Sequence, residues 1–291
     1  MALARPLSPG VATALVAGAA SLWGLWSLIL RPTGLPATTT GPLLFAFMTA
    51  WTMPLALRGA PVVWRRRTVA LLVGNTLFDA ANVLCFFAAM THTTVAIAVV
   101  THYAAPILVA LLAPRIDRVR VPGAPIAATV AMLGLALVLE PWRSGGAWLL
   151  GGALGLGSAV MYAGNVFCTS RLTLAIGATR AMAYHSGLAA LLLAPLALPG
   201  LGAIDGDAWG RMAIGTAVLG ALAGVAYLRG LVVIGATRAA MLTFCEPLVA
   251  VAVGALAFGE VVRPLAAVGI ALVLGAGAWV VRRPQPSSPA E

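Results

Sequence analysis

The run from Thr68 to Met90, TVALLVGNTLFDAANVLCFFAAM, is 23 residues long and holds a single charged side chain, Asp79. A helix needs about 20 predominantly apolar residues to cross the hydrocarbon core of a bilayer. Similar apolar runs follow one another along the chain, without the period-two alternation of a barrel strand. A spanning helix satisfies its backbone hydrogen bonds internally. The sequence therefore predicts an all-α integral membrane protein.

The overall composition agrees with a chain surrounded mainly by lipid. Hydrophobic residues make up 61% of the sequence and charged residues 9%, whereas a soluble domain carries roughly 25% charged residues. The net charge of +10 comes from arginines that lie singly or in small groups between apolar runs. Because they form no basic face, nucleic acid is not expected as a partner. The expected partners are the lipid bilayer and a small-molecule substrate, and the oligomeric state stays open.

The apolar runs predict ten transmembrane helices. The predicted spans are Val11–Leu30, Gly41–Leu57, Thr68–Met90, Thr94–Leu112, Ala124–Leu139, Trp148–Thr169, Ala181–Leu198, Met212–Leu228, Ala239–Phe258 and Leu265–Val281. With the N-terminus in the cytoplasm, 14 of the 18 arginines lie in cytoplasmic segments and four, at positions 31, 143, 211 and 263, lie outside. Cytoplasmic loops are enriched in Arg and Lys, so both termini are predicted to be cytoplasmic.

A weak internal repeat divides the chain. A shift of 141 residues places Pro106 on Pro247, Val121 on Val262 and Gly134 on Gly275. Two units of five spans each must have opposite orientations, and inverted repeats are a recurring plan of secondary transporters. We predict a first repeat in residues 1–145 and a second in residues 146–283. Residues 284–291 are rich in Pro and Ser and predict a disordered C-terminal tail.

The second half also carries a recognisable motif. Cys245-Glu246-Pro247-Leu248, then Gly259-Glu260 and then Gly269, resemble the late-helix pattern of EamA-type repeats in the drug/metabolite transporter (DMT) superfamily. The first half keeps Pro106 but has Ala105 in place of the glutamate. The resemblance implies a ten-helix transporter without enzyme activity.

The third and fourth predicted spans resemble a narrower group. Phe78-Asp79, Thr91-His92-Thr93-Thr94 and His102-Tyr103, followed by Pro106, are similar to YddG-type aromatic amino-acid exporters. This resemblance implies export of small amphipathic metabolites from a bacterial cytoplasm.

Two polar stripes at helical spacing predict the walls of a cavity. The members of the stripes, at i, i+4, i+7 and i+11, are Asn75, Asp79, Asn82 and Phe86 in the third span and Ser158, Tyr162, Asn165 and Thr169 in the sixth. Side chains at this spacing share one helix face. Such stripes either line a wet cavity or hold helices together by hydrogen bonds. His102, in the fourth span, is a further candidate that either pairs with Asp79 or packs by itself.

Other candidates supply aromatic surface, proton coupling and hinges. Trp23, Tyr103 and Phe244 are expected to supply aromatic surface for the substrate. Tyr227 is expected to anchor its helix at the membrane interface, with a gate or cavity residue as the alternative. The proton-coupling candidates are Asp79, which is costly at the bilayer centre, and Glu246; uncoupled transport is the alternative. Pro106 and Pro247 are predicted hinges because proline removes a helix hydrogen bond.

These features predict a secondary transporter of a bacterial inner membrane that exports amino acids, most of all aromatic or hydrophobic ones, by alternating access. Export of drugs or other metabolites is the alternative within the same fold. An intramembrane enzyme acting on lipid-linked substrates is the alternative from another class. The chain has no lysine, so it has no Walker A motif for nucleotide hydrolysis. No cofactor, metal site or catalytic residue is predicted.

Overall fold

The computed structural model describes residues 7–58, 61–143 and 148–283, and in these ranges the regular structure is helical throughout. The boundary predicted between the repeats, at residues 145 and 146, and the tail predicted at 284–291 lie outside the described residues. The α-helices are α1 (Pro9–Trp23), α2 (Trp26–Leu30), α3 (Ala37–Ala56), α4 (Arg66–His92), α5 (Val95–His102), α6 (Ala105–Ile116), α7 (Ala124–Leu139), α8 (Trp148–Ile176), α9 (Ala178–Ala197), α10 (Gly206–Gly215), α11 (Ala223–Ile234), α12 (Ala236–Leu242), α13 (Cys245–Phe258) and α14 (Pro264–Arg282).

Nine helical segments of the described chain are long and apolar enough to cross a membrane. They correspond to nine of the ten predicted spans. The remaining prediction, Gly41–Leu57, falls on α3, which has 20 residues but contains five threonines and two internal prolines. These residues lower its hydropathy, so α3 as a tenth span stays a prediction.

Two spanning segments are interrupted where the sequence has proline. The segment of α5 and α6 breaks at Tyr103 and Ala104, and that of α12 and α13 breaks at Thr243 and Phe244. Pro106 and Pro247 each lie within the first turn of the helix that follows. Proline fits that position because the first turn has no partner for its backbone N–H in any case.

The first segment is interrupted without a proline. α1 ends at Trp23, and α2 begins at Trp26 after Gly24 and Leu25. A Cβ atom on Gly24 would lie 2.5 Å from the carbonyl oxygen of Glu246, so the absence of a side chain allows the first segment to touch the start of α13. The eighth segment contains a π-helical stretch at residues 216–222, between α10 and α11.

The main helix pairs join the two halves of the chain. α4 packs along α8, α3 along α9, α7 along α14 and α1 along α11. At the α7–α14 crossing, a Cβ atom on Gly134 would lie 2.7 Å from the carbonyl oxygen of Gly269. Small residues permit close approach of helices in membranes. The halves are therefore interleaved, and the space between them belongs to both.

A short sequence is used twice for the same turn. Ile-Gly-Ala-Thr-Arg-Ala occurs at 176–181, between α8 and α9, and again at 234–239, between α11 and α12. Gly177 and Gly235 have φ angles of 86° and 83°, which glycine adopts readily and other residues avoid. Each glycine therefore permits one helix to end and the next to begin within a single residue.

Candidate functional site

A cavity of about 730 Å³ lies between the two halves. Side chains of both halves line it, including Asp79 and His102 from the first and Tyr162 and Glu246 from the second. A volume of roughly 300–1,000 Å³ is typical of small-molecule sites. The first, third, fourth, sixth, eighth and ninth predicted spans were expected to form the walls of this cavity. The structure adds walls from α3 and α9.

One wall contains a chain of hydrogen bonds between three helices. The Ser158 hydroxyl donates to Oδ1 of Asn82 (2.7 Å), and Nδ1 of His102 lies 2.8 Å from the same hydroxyl oxygen. Because the hydroxyl proton is directed to Asn82, the oxygen accepts a bond from Nδ1–H of His102. A neutral His102 then keeps Nε2 as an acceptor. This chain fixes the ring of His102 between α4 and α8.

A second contact joins the two predicted polar stripes deeper in the wall. Nδ2 of Asn165 donates to Oδ1 of Asn75 over 2.9 Å. Asn165 borders the cavity, whereas Asn75 is fully buried behind it. Residues of the two stripes therefore do both of the things considered above. Some, such as Asn165, line the cavity, and the buried Asn75 connects α4 to α8 by a hydrogen bond.

The carboxylate of Asp79 has a partner that the sequence reasoning did not name. Nε2 of His185 donates to Oδ2 of Asp79 over 2.6 Å, and both residues line the cavity. The ring of His185 meets that of Phe45 edge to face, with the centroids 5.8 Å apart. His102, the partner that we considered for Asp79, is instead bonded to Ser158. His185 gave no sequence signal because it is the lone polar group on its helix face.

Aromatic rings form most of the remaining wall. Trp23 packs on Tyr227 with ring centroids 5.0 Å apart, and His102 contacts Phe86 and Tyr162 at 5.0 and 5.4 Å. Tyr227 is 5% exposed and lines the cavity. The expectation that Tyr227 anchors its helix at the interface is therefore wrong, because the helix turns this residue toward the interior.

Glu246 lies at the break between α12 and α13, among the tyrosines. The hydroxyl of Tyr103 donates to the carbonyl oxygen of Thr243 over 3.4 Å, and it also interacts with the Glu246 carboxyl. Tyr162 and Tyr227 line the same cavity as Glu246. Among the described residues, no Arg or His forms an ion pair with the Glu246 carboxyl.

An ion pair lies at the mouth of the cavity. Nη1 of Arg31 lies 2.6 Å from Oε1 of Glu260, and the guanidinium stacks over Phe258 at 4.5 Å. Arg31 and Glu260 both line the cavity, and both lie in segments predicted to face outside. The cavity therefore reaches the end that is predicted to be extracytoplasmic.

At the opposite end, an ion pair between described residues joins the two halves and does not line the cavity, and we refer to this end as the closed end. Nη2 of Arg171, on α8, lies 2.6 Å from Oδ1 of Asp117 and also donates to the carbonyl oxygen of Ile116. Burial raises the pKa of the Asp117 carboxyl, and Arg171 offsets this rise only in part. Beside this ion pair, Ala113 and Leu172 are buried in the core.

Seven of the nine residues predicted to bind substrate line the cavity: Trp23, Asp79, Asn82, His102, Tyr103, Tyr162 and Asn165. The other two lie behind its wall. Phe244 is 2% exposed and packs on Tyr103, and Asn75 is bonded to Asn165. Within the described ranges, no three His, Cys, Asp or Glu side chains come together as metal ligands.

The fold defines a multi-pass helical membrane protein with a cavity between the two halves of the chain. Residues 149–282, which comprise nearly all of α8 to α14, match the model of the EamA-like transporter family. This match covers 134 of the 291 residues, all of them in the second half of the chain, and shows what that half is similar to.

Solved structures extend the likeness in fold to most of the chain. Among 29 similar chains, one titled "Crystal structure of protein" is 19% identical with a TM-score of 0.77. The alignment covers 93% of this chain and 98% of that one. At this identity the likeness shows the fold alone. No curated protein matches the sequence.

Proposed function

We propose that the protein is a secondary transporter that carries small amphipathic molecules through the cavity by alternating access. The observation that carries the proposal is the cavity itself. It is large enough for a small metabolite, it mixes aromatic with polar walls, and its described lining includes the Arg31–Glu260 pair at one end but not the Arg171–Asp117 pair at the other. The match of the second half to the EamA-like transporter family supports the same function.

The proposed substrates are amino acids with aromatic or hydrophobic side chains, exported across a bacterial inner membrane as in YddG-type exporters. The rings of Trp23, Tyr103, Tyr162 and Tyr227 support this substrate class, because aromatic faces stack on aromatic and apolar groups. Drugs or other amphipathic metabolites are the alternative for the same cavity.

The proposed architecture is ten spans in two inverted repeats with both termini in the cytoplasm. The interruptions at Tyr103–Ala104 and Thr243–Phe244 support the repeat, because the 141-residue shift places one close to the other. They also support Pro106 and Pro247 as hinges. Proton coupling is proposed through Asp79 or Glu246, with uncoupled transport as the alternative.

Counterflow in liposomes tests this function. Purified protein is reconstituted, loaded with unlabelled amino acids, aromatic ones included, and exposed to labelled ones with and without a pH gradient. We expect saturable uptake that excess unlabelled substrate inhibits.

Two tryptophan substitutions on α13 provide a matched pair. Ala250 lines the cavity, whereas Ala252, on the same helix, is exposed on the outer surface. Ala250→Trp should fill part of the cavity and lower counterflow by at least about tenfold, a loss of roughly 1.4 kcal/mol in binding. Ala252→Trp should transport like the wild type. Equal activity of the two variants would contradict transport through this cavity.

A further inference from the structure

The cavity holds two carboxyl groups with unlike surroundings. Asp79 is engaged by His185 at 2.6 Å. Glu246 forms no ion pair with any Arg or His of the described chain. A charge at membrane depth is costly unless a partner compensates it, so Glu246 marks a place where a ligand can provide the missing charge.

The rings around Glu246 fit a cation. Tyr103, Tyr162 and Tyr227 line the cavity together with Glu246, and the ring of Trp23 packs on that of Tyr227 with the centroids 5.0 Å apart. The negative faces of Trp and Tyr rings attract an ammonium group, and a desolvated contact contributes about 2 kcal/mol. Aromatic rings together with one carboxylate are typical of protein sites that bind a protonated amine.

The other charges of the cavity disfavour an anion at this depth. Among the described residues that line the cavity, Arg31 is the one arginine, and it forms an ion pair with Glu260 at the mouth. Tyr162, Asp79 and Glu246 all line the cavity. A ligand in the cavity therefore meets two carboxyl groups, and a ligand carboxylate beside them would meet like charge.

We propose that Glu246, with Tyr103, Tyr162, Tyr227 and Trp23, forms an ammonium-binding subsite, so that substrates carry a protonated amine on an apolar or aromatic body. This proposal rests on the proposed transport function and narrows its substrate class. An amino acid meets the requirement through its ammonium group, and a simple aromatic amine meets it as well. An aromatic acid without an amine does not.

Three compounds with the same indole ring test the requirement: tryptamine, tryptophan and indole-3-propionate. Their binding to the purified protein is measured at pH 7.5 by calorimetry and by the shift in melting temperature. We expect saturable binding of tryptamine and tryptophan, and at least tenfold weaker binding of indole-3-propionate. Equal binding of the acid and the amine, or no amine binding up to millimolar concentration, would overturn the proposal.

The Glu246→Gln variant assigns the effect to the carboxyl group. It should bind tryptamine at least tenfold more weakly and should not lose affinity for indole-3-propionate, which also shows that the variant is folded. The control is Glu140→Gln, since Glu140 pairs with Arg263 away from the cavity lining. Unchanged tryptamine affinity in Glu246→Gln would also refute the subsite.

The same preparation separates this proposal from the proposed function. Binding of tryptamine that depends on Glu246, without counterflow of any amine or amino acid, would support the subsite and contradict transport. Counterflow of indole-3-propionate as fast as that of tryptamine would support transport and contradict the subsite.

Discussion

The hydrogen bond between Asp79 and His185 joins α4 to α9 inside the cavity wall. Its loss leaves a mostly buried carboxylate without its donor, and such a loss costs about 1–3 kcal/mol. His185→Leu should therefore lower the melting temperature of the purified protein by several degrees. His92, which is exposed at the end of α4, supplies the control His92→Leu. A shift of equal size in the two variants would contradict a special role for the buried pair.

The same pair tests the proposed proton route. If Asp79 carries the proton, Asp79→Asn has no titrating group at this position, and counterflow should lose its pH dependence between pH 5.5 and 8. The measurement compares initial rates of the wild type and the variant across that range. Normal transport by Asp79→Asn at every pH would remove Asp79 as the coupling residue and would leave Glu246 as the other candidate.

Spacing along one helix predicted much of the polar wall but not its contacts. Asn82 and Asn165 border the cavity because each shares a face with the other members of its stripe. The same spacing includes Asn75, which the neighbouring helix covers. The partner of Asp79 lies 106 positions away, and no pattern within one helix specifies which helix lies opposite. The environment of Tyr227 depends on helix rotation, which its distance from the end of the span does not determine.

At the scale of elements, the crossing of α7 and α14 depends on two glycines. A Cβ atom on Gly269 would collide with the carbonyl oxygen of Gly134. Overpacking of this kind typically costs about 1–3 kcal/mol, so Gly269→Ala should lower the melting temperature. Gly275, on the same helix, has open space at its Cβ position. Gly275→Ala should therefore be neutral or slightly stabilising, and the reverse order of the two variants would contradict this packing.

Helix length was easier to predict than helix continuity. Nine predicted spans fall on helical segments of sufficient length and hydropathy, because apolar runs alone determine them. The breaks near Pro106 and Pro247 follow from proline chemistry. The break after Trp23 depends on contact between Gly24 and the start of α13. The crossing of α7 and α14 joins Gly134 to Gly269, and not to Gly275, on which the 141-residue shift places Gly134. Tertiary packing fixes both features.

At the scale of the whole molecule, ion pairs join the halves at both ends. Arg31 meets Glu260 at the mouth, Arg263 meets Glu140 away from the cavity lining, and Arg171 meets Asp117 at the closed end. Alternating access requires that the closed end separates while the mouth shuts. The two partners at the closed end are not equivalent, because burial raises the pKa of Asp117 despite Arg171.

This asymmetry predicts which of the two residues keeps the closed end shut. Because the pKa of Asp117 is raised in the closed form, protonated Asp117 stabilises that form. This stabilisation is lost as the pH rises through the raised pKa. Arg171→Met leaves the ionised Asp117 carboxyl half-buried without its cation, so this variant should open the closed end. Asp117→Asn should leave this end closed, because no charge remains unpaired in the carboxyl's place. The double variant Arg171→Met/Asp117→Asn should also stay closed.

Thiol labelling measures this opening. Ala113, which is 2% exposed and lies one turn from Asp117, is replaced by Cys in a chain whose three native cysteines are Ala. An impermeant maleimide should modify the Arg171→Met form about fivefold faster, which corresponds to roughly 1 kcal/mol. Acidification slows maleimide coupling to every thiol, so the rate is compared with that of the chain without Arg171→Met. Protonation of Asp117 should slow the labelling of the Arg171→Met form by the larger factor. Asp207→Asn, at an exposed ion pair with Arg211, is the control with no expected change. Faster labelling of Asp117→Asn than of Arg171→Met would show instead that the ionised carboxylate holds the closed end shut.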